Sequence, residues 1–177
     1  MLEKLRYPIG KPTIPSTITN ADIKKWISVI ENFPLNIENL VKNLTDNQLN
    51  TKYRENGWTI RQVIHHCADS HLNSYTRFKW TLTEDKPVIK AYYEDRWAEL
   101  FDSKSAPILL SINQLKALHA KWTFLLKGLS ENDLNREFIH PEGNKNFSLA
   151  KNIEMYAWHC NHHYAHINNL MLNKGWS

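Results

Sequence analysis

The sequence predicts an all-α protein, a four-helix bundle with a small hairpin-like excursion before the last helix. Three observations predict it. Four long segments carry apolar residues at helical spacing, capping residues stand at their ends, and one turn-rich stretch lies between the third and fourth segments. With 177 residues the chain is the size of one domain and long enough to bury a core. No repeat or linker divides it, so residues 1–177 read as a single domain.

Taken in order, residues 1–18 contain Pro8, Gly10, Pro12 and Pro15 and read as an extended arm laid over the surface. A first helix is expected from about Asn20 to Asn43, with Trp26, Ile27, Val29, Ile30, Ile37, Leu40 and Val41 at helical spacing and a kink or short break at Pro34. Residues 51–58 are polar and contain Gly57, so they form a loop. Thr59 caps a second helix running to Thr83. A connector and a short helical turn through Arg96, Trp97 and Leu100 lead to a third helix from Pro107 to Leu126. One capped turn covers 130–134. The stretch from Arg136 to Phe147, with Glu142-Gly143-Asn144 in its middle, suits a hairpin. Ser148 caps the last helix, which runs to about Asn173 with Gly175 just past its end.

Composition excludes several classes. Hydrophobic residues make up 42%, too many for a disordered chain. The mean hydropathy of −0.54, without a long apolar run, argues against a membrane span. No secretion signal is visible at the N-terminus. The two cysteines, Cys67 and Cys160, sit inside helical patterns and read as reduced, buried thiols of a cytoplasmic protein. Net charge is +4, from 22 basic and 18 acidic residues. That excess is spread along the chain with no basic block, so no nucleic-acid partner is expected.

The unusual feature is nine histidines, several of them clustered. His159-Cys160-Asn161-His162-His163-Tyr164-Ala165-His166 lies in the last helix. Residues four apart are separated by only about 40° around a helix, so His159/His163 and His162/His166 are both chelating pairs. Leu149, Ile153, Tyr156, Cys160, Tyr164, Ile167 and Met171 mark the apolar face. His163 and His159 fall roughly 40° and 80° from its centre, His166 and His162 roughly 100° and 140°. His159/His163 is therefore the pair that points into the bundle, and His162/His166 the one expected near water.

A third ligand should come from a facing helix. On the second helix, His65 and His66 flank the apolar face almost equally. Gln62, His66, Asp69, Asn73 and Arg77 share one polar stripe beside that face, the pattern of a site wall that orients ligands. His66 is favoured on that ground, with His71 the alternative ligand or a hydrogen-bonded core histidine. Three neutral imidazoles suit one zinc or nickel ion with positions left open for water or substrate. His119 and His140 have no partner at ligand spacing and read as structural or surface residues. The seven tryptophans read as core and interface filler, with Trp158 on the polar face as a contact for the arm or a second subunit.

The segments GWTIRQVIHHCADSHLNSYTRFK and YAWHCNHHYAHI, the arm RYPIG, the HPEG hairpin and the terminal GWS resemble the YfiT family of metal-dependent hydrolases. That family sits in the DinB-like superfamily, which also includes BstA-type bacillithiol S-transferases. The likeness covers nearly the whole chain. It implies a DinB-like bundle, a zinc or nickel ion held by His66, His159 and His163, and a cytoplasmic homodimer. Cys67 stands where leucine is expected, a change that leaves the ligands intact.

Two activities follow as expectations. A hydrolase would use the ion to activate water, with Asp69 as the base and Gln62, Asn73 or Arg77 positioning a small-molecule substrate. An S-transferase would instead activate a low-molecular-weight thiol, whose proton is lost on coordination, with Arg77 holding a carboxylate of that thiol. A third reading is a non-catalytic metal-binding stress protein, whose closed site would recruit His71 or His162 as a fourth ligand.

Overall fold

The computed structural model describes residues 2–13 and 15–176. Helices α1 (Leu2–Arg6), α2 (Asn20–Val41), α3 (Asp46–Leu49), α4 (Ile60–Thr83), α5 (Glu94–Trp97), α6 (Phe101–Ser105), α7 (Ile108–Lys127) and α8 (Glu131–Asn135) precede a two-stranded hairpin, β1 (Glu137–His140) and β2 (Lys145–Ser148). The final helix, α9 (Leu149–Lys174), completes the chain. The four long helices make the bundle, with α2 against α7 and α9, and α4 against α7 and α9.

Side-chain caps set the helix starts. Thr19, Thr45, Thr59 and Ser130 each accept from the backbone N–H three residues on, while the side chain there (Asp22, Gln48, Gln62, Asp133) accepts from the cap's own N–H. These reciprocal boxes satisfy two orphan donors per helix. At the far end of α9, Gly175 takes φ of 66° and its N–H bonds back into the last turn, a left-handed cap that favours glycine.

The N-terminal segment is not extended throughout, as its prolines suggested, because one helical turn forms ahead of them. Nor does Pro34 break α2, which is helical on both sides of it. The proline is buried, and the carbonyl it leaves without a partner, that of Ile30, accepts from His119 Nδ1 at 2.6 Å. A side chain from α7 thus supplies the hydrogen bond that the helix cannot.

The hairpin pairs antiparallel from Glu137↔Ser148 to His140↔Lys145, closing through Gly143 and Asn144 at φ of 76° and 50°. It is tied to the bundle by Ile89 N–H to Ile139 O (3.1 Å) and Ile139 N–H to Pro87 O (2.9 Å). Arg136 Nε adds a bond to Thr81 O at 2.7 Å. This anchoring sets the hairpin beside α4 and α9, over one end of the bundle.

The buried apolar residues form one cluster. Phe33, Phe78, Trp122, Ile30, Ile64, Leu115, Ile153 and Ile167 lie at its centre. Phe78 meets Trp122 edge-on at 5.8 Å and is fully buried. Phe78→Ala is expected to cost about 3–5 kcal/mol, because packed neighbours cannot collapse into the void. Urea unfolding measures it, and a loss under about 1 kcal/mol would show that the site relaxes.

Candidate metal centre

His66 from α4 and His159 and His163 from α9 come together, with one ring nitrogen of each within 4.8 Å of the others. His66 Nε2 and His159 Nε2 are 3.2 Å apart. Zinc–imidazole bonds of about 2.0–2.1 Å in tetrahedral geometry place two nitrogens about 3.3 Å apart. The spacing present serves two ligands on one ion as well as a hydrogen bond between the rings, and the chemistry of the donor set fits a divalent metal.

Electrostatics suit the same role. Burial, followed by the nearby His166, pushes His66 down to about 4. Burial, then the neighbouring imidazoles, holds His159 and His163 well below the ordinary histidine range. Rings kept neutral at pH 7 offer lone pairs without first losing a proton.

Local hydrogen bonding sets His65 and His66, which periodicity left close, in different surroundings. His65 Nδ1 lies 2.7 Å from Ser111 Oγ and its Nε2 3.2 Å from Ala106 O, so both nitrogens are occupied on the α6–α7 side. His66 faces α9, under the Trp58 ring at 4.6 Å. His71 is fully buried and is not in the cluster. Its Nδ1 is 2.7 Å from His119 Nε2 and its Nε2 is 3.0 Å from His159 Nδ1, which makes it the hydrogen-bonded core histidine of the two alternatives.

The expectation that His162 and His166 lie near water is overturned, since both are buried while His159 is partly exposed. The N-terminal segment covers them. His166 Nε2 donates to Arg6 O at 3.1 Å, Tyr53 stacks on His166 at 4.0 Å, and Trp158 Nε1 donates to Gly10 O at 3.2 Å. His162, His163 and His166 form a second close group, but it shares His163 with the first and has His166 bonded to the backbone.

A cleft of about 580 Å³ opens onto the centre, lined by His66, His159 and His163 together with Arg6, Arg54, Arg77, Tyr92 and His140. The polar stripe expected on α4 needs correction. Its wall here is His66, Ser70 and Arg77, whereas Gln62, Asp69 and Asn73 are not among the lining residues. Gln62 is consumed by its cap and by Ala98 O at 2.8 Å. Asn73 bonds the Asp69 carbonyl on its own helix at 2.9 Å. Burial and then the like charge of Asp102 push Asp69 up to about 6.

Arg77 is buried at 9% exposure, makes no ion pair among the described residues, and has an unpartnered Nε. Arg54 Nε is likewise buried and unpartnered. His140, read from sequence as structural or surface, stands in the cleft wall. Its Nδ1 accepts the Glu142 N–H at 3.3 Å, so its neutral ring carries the proton on Nε2. The HPEG turn held a signal for His140, since the hairpin that carries it had to dock somewhere on the bundle. Nothing in the sequence pointed to Arg54 or Arg6.

Four long helices with an imidazole cluster facing an open cleft define a helical-bundle protein with a metal-type site. The chain belongs to the DinB superfamily, which residues 31–167 match, and within it to the YfiT family. It is 49% identical over 171 residues to "Putative metal-dependent hydrolase OB0782" of Oceanobacillus iheyensis, covering 97% of this chain and 98% of the relative. It is 45% identical over 173 residues to "Putative metal-dependent hydrolase YfiT" of Bacillus subtilis, covering 98% and 97%. The solved structure of that Bacillus subtilis protein, described as "a probable metal-dependent hydrolase with an unusual four-helix bundle topology", aligns with a TM-score of 0.96 over 98% of this chain and 99% of that one. Among the described residues no helix is long and apolar enough to cross a membrane.

Proposed function

We propose that this protein is a metal-dependent hydrolase of small anionic substrates, with His66, His159 and His163 holding one zinc or nickel ion. The observation that carries the reading is the pairing of a three-imidazole donor set with an uncompensated buried guanidinium, Arg77, in the same cleft. A divalent ion bound there supplies Lewis acidity, activating water near neutral pH.

The chain's own residues do the rest. Arg77, itself buried in the cleft wall, offers an anion a charge-assisted hydrogen bond. His140 presents an Nε2–H from the hairpin, able to donate to a substrate oxygen. Trp58 covers His66 and limits solvent on that side. Both cysteines are buried and burial pushes their thiols up, so neither is a nucleophile. That last observation also fits a second reading, transfer of an exogenous low-molecular-weight thiol bearing a carboxylate for Arg77.

The test is a turnover screen of zinc- and nickel-loaded protein on carboxylate-bearing amides and esters, and on thiol-plus-electrophile pairs. Ion-dependent hydrolysis is expected, with Arg77→Met raising KM about 10–100-fold at unchanged metal content. Turnover only with an added thiol would select the second reading. No turnover of any anionic substrate, or an unchanged KM in Arg77→Met, would sink the proposal.

A further inference from the structure

A chain of three histidines runs from the core to the metal centre, and its starting point fixes the position of every proton along it. The Ile30 carbonyl, deprived of its helical partner by Pro34, can only accept. His119 Nδ1 at 2.6 Å must therefore carry a proton, and the neutral ring keeps its lone pair on Nε2. His71 Nδ1, 2.7 Å from that lone pair, must in turn be the donor. The His71 Nε2 left unprotonated accepts from His159 Nδ1 at 3.0 Å. His159 is left with its lone pair on Nε2, the nitrogen that stands 3.2 Å from His66 Nε2.

We propose that Pro34, His119 and His71 act as positioning residues that select the tautomer and ring orientation of His159, presenting Nε2 to the metal ion before it binds. The inference rests on the reading of His159 as a ligand. Each link has one donor and one acceptor, so an imidazole flipped anywhere would set two lone pairs or two N–H groups against each other in a buried site. The other ligand of α9 has a shorter version of the same device. His166 donates Nε2–H to Arg6 O at 3.1 Å, and its Nδ1 lone pair faces His163 Nδ1 at 3.5 Å, leaving Nε2 of His163 unprotonated. Metal-ligating histidines depend on such partners, whose loss typically costs about 10–100-fold in affinity.

Two measurements test the relay. In long-range ¹H–¹⁵N spectra of metal-free wild type, His119, His71 and His159 are expected to show the Nδ1–H pattern and His166 the Nε2–H pattern. Finding His71 or His159 as the Nε2–H tautomer would overturn the proposal, whatever metal does. In chelator competition, His119→Leu is expected to bind zinc about 10–100-fold more weakly. His119→Gln, which keeps an amide donor and an oxygen acceptor, is expected to recover most of that loss. A folded His119→Leu protein that binds zinc as tightly as wild type would also overturn it. If the leucine variant does not fold, the wild-type spectrum decides. Because that spectrum needs no metal, failure of the relay and failure of the ligand assignment are told apart.

Discussion

Replacing His163 or His66 with alanine is expected to strip the protein of its metal, while replacing His65, the immediate neighbour of His66, is not. A four-ligand zinc site contributes roughly 10–16 kcal/mol, so each imidazole accounts for about 2.5–4 kcal/mol, on the order of 100-fold or more in affinity. On the proposed three-histidine reading, losing one leaves a two-histidine site that is expected to lose its ion through purification. His65 makes its hydrogen bonds to Ser111 and Ala106, so its removal costs stability and leaves the centre intact. Metal content of untagged protein by mass spectrometry measures the difference. Metal retained in both His163→Ala and His66→Ala, or lost equally in His65→Ala, would overturn the assignment.

Mild acid is expected to unfold the metal-free protein within a narrow range. Burial holds His66 and His119 at about 4 and His71 and His163 well below the ordinary value, while the unfolded chain takes up these protons near pH 6.5. A folded pKa below the unfolded one means stability is full above about 6.5 and drains as pH falls, levelling off for His66 and His119 below about 4. Each ring costs roughly 1 kcal/mol between about pH 6.5 and 5.5. Four such rings lose roughly 4 kcal/mol, much of an ordinary domain's 5–15. Asp69, raised to about 6, and Glu154, also raised by burial, work in the opposite sense, since they gain their protons in the folded state first, but the histidines held low outnumber them. Thermal melts followed by circular dichroism at stepped pH should show the midpoint falling steeply below pH 6.5, with bound zinc opposing the fall. A midpoint unchanged from pH 7 to 5 would mean these rings are not neutral in the core.

What could be read from the sequence is what neighbouring residues decide among themselves. Thr59, Ser148 and Gly175 mark helix ends because capping is a contact between residues within a few positions of one another. The hairpin turn at Gly143 and Asn144 was legible for the same reason. His159 and His163 could be read as a chelating pair because four-residue spacing is a property of α9 alone, whereas their rank in burial against His162 and His166 was not legible. Wherever the answer depended on what packs against a helix, local reasoning gave out. His162 meets Tyr7 and His166 meets Arg6, more than 150 positions earlier, and Tyr53 stacks on His166 as well, and no helical wheel contains that arm.

The polar stripe on α4 failed similarly. Gln62, Asp69 and Asn73 share a face with Arg77 in projection, but Gln62 bonds Ala98, Asn73 bonds its own helix, and of these four only Arg77 lines the cleft. Pro34 advertised a carbonyl without a donor, and the sequence could not name His119 as the donor that answers it. The sequence by itself therefore determined the four helices, their caps, the family and the histidines able to meet. Only the tertiary structure decided which partner each ring nitrogen meets and which arginines line the cleft, because those depend on contacts between distant segments that exist once the bundle has closed.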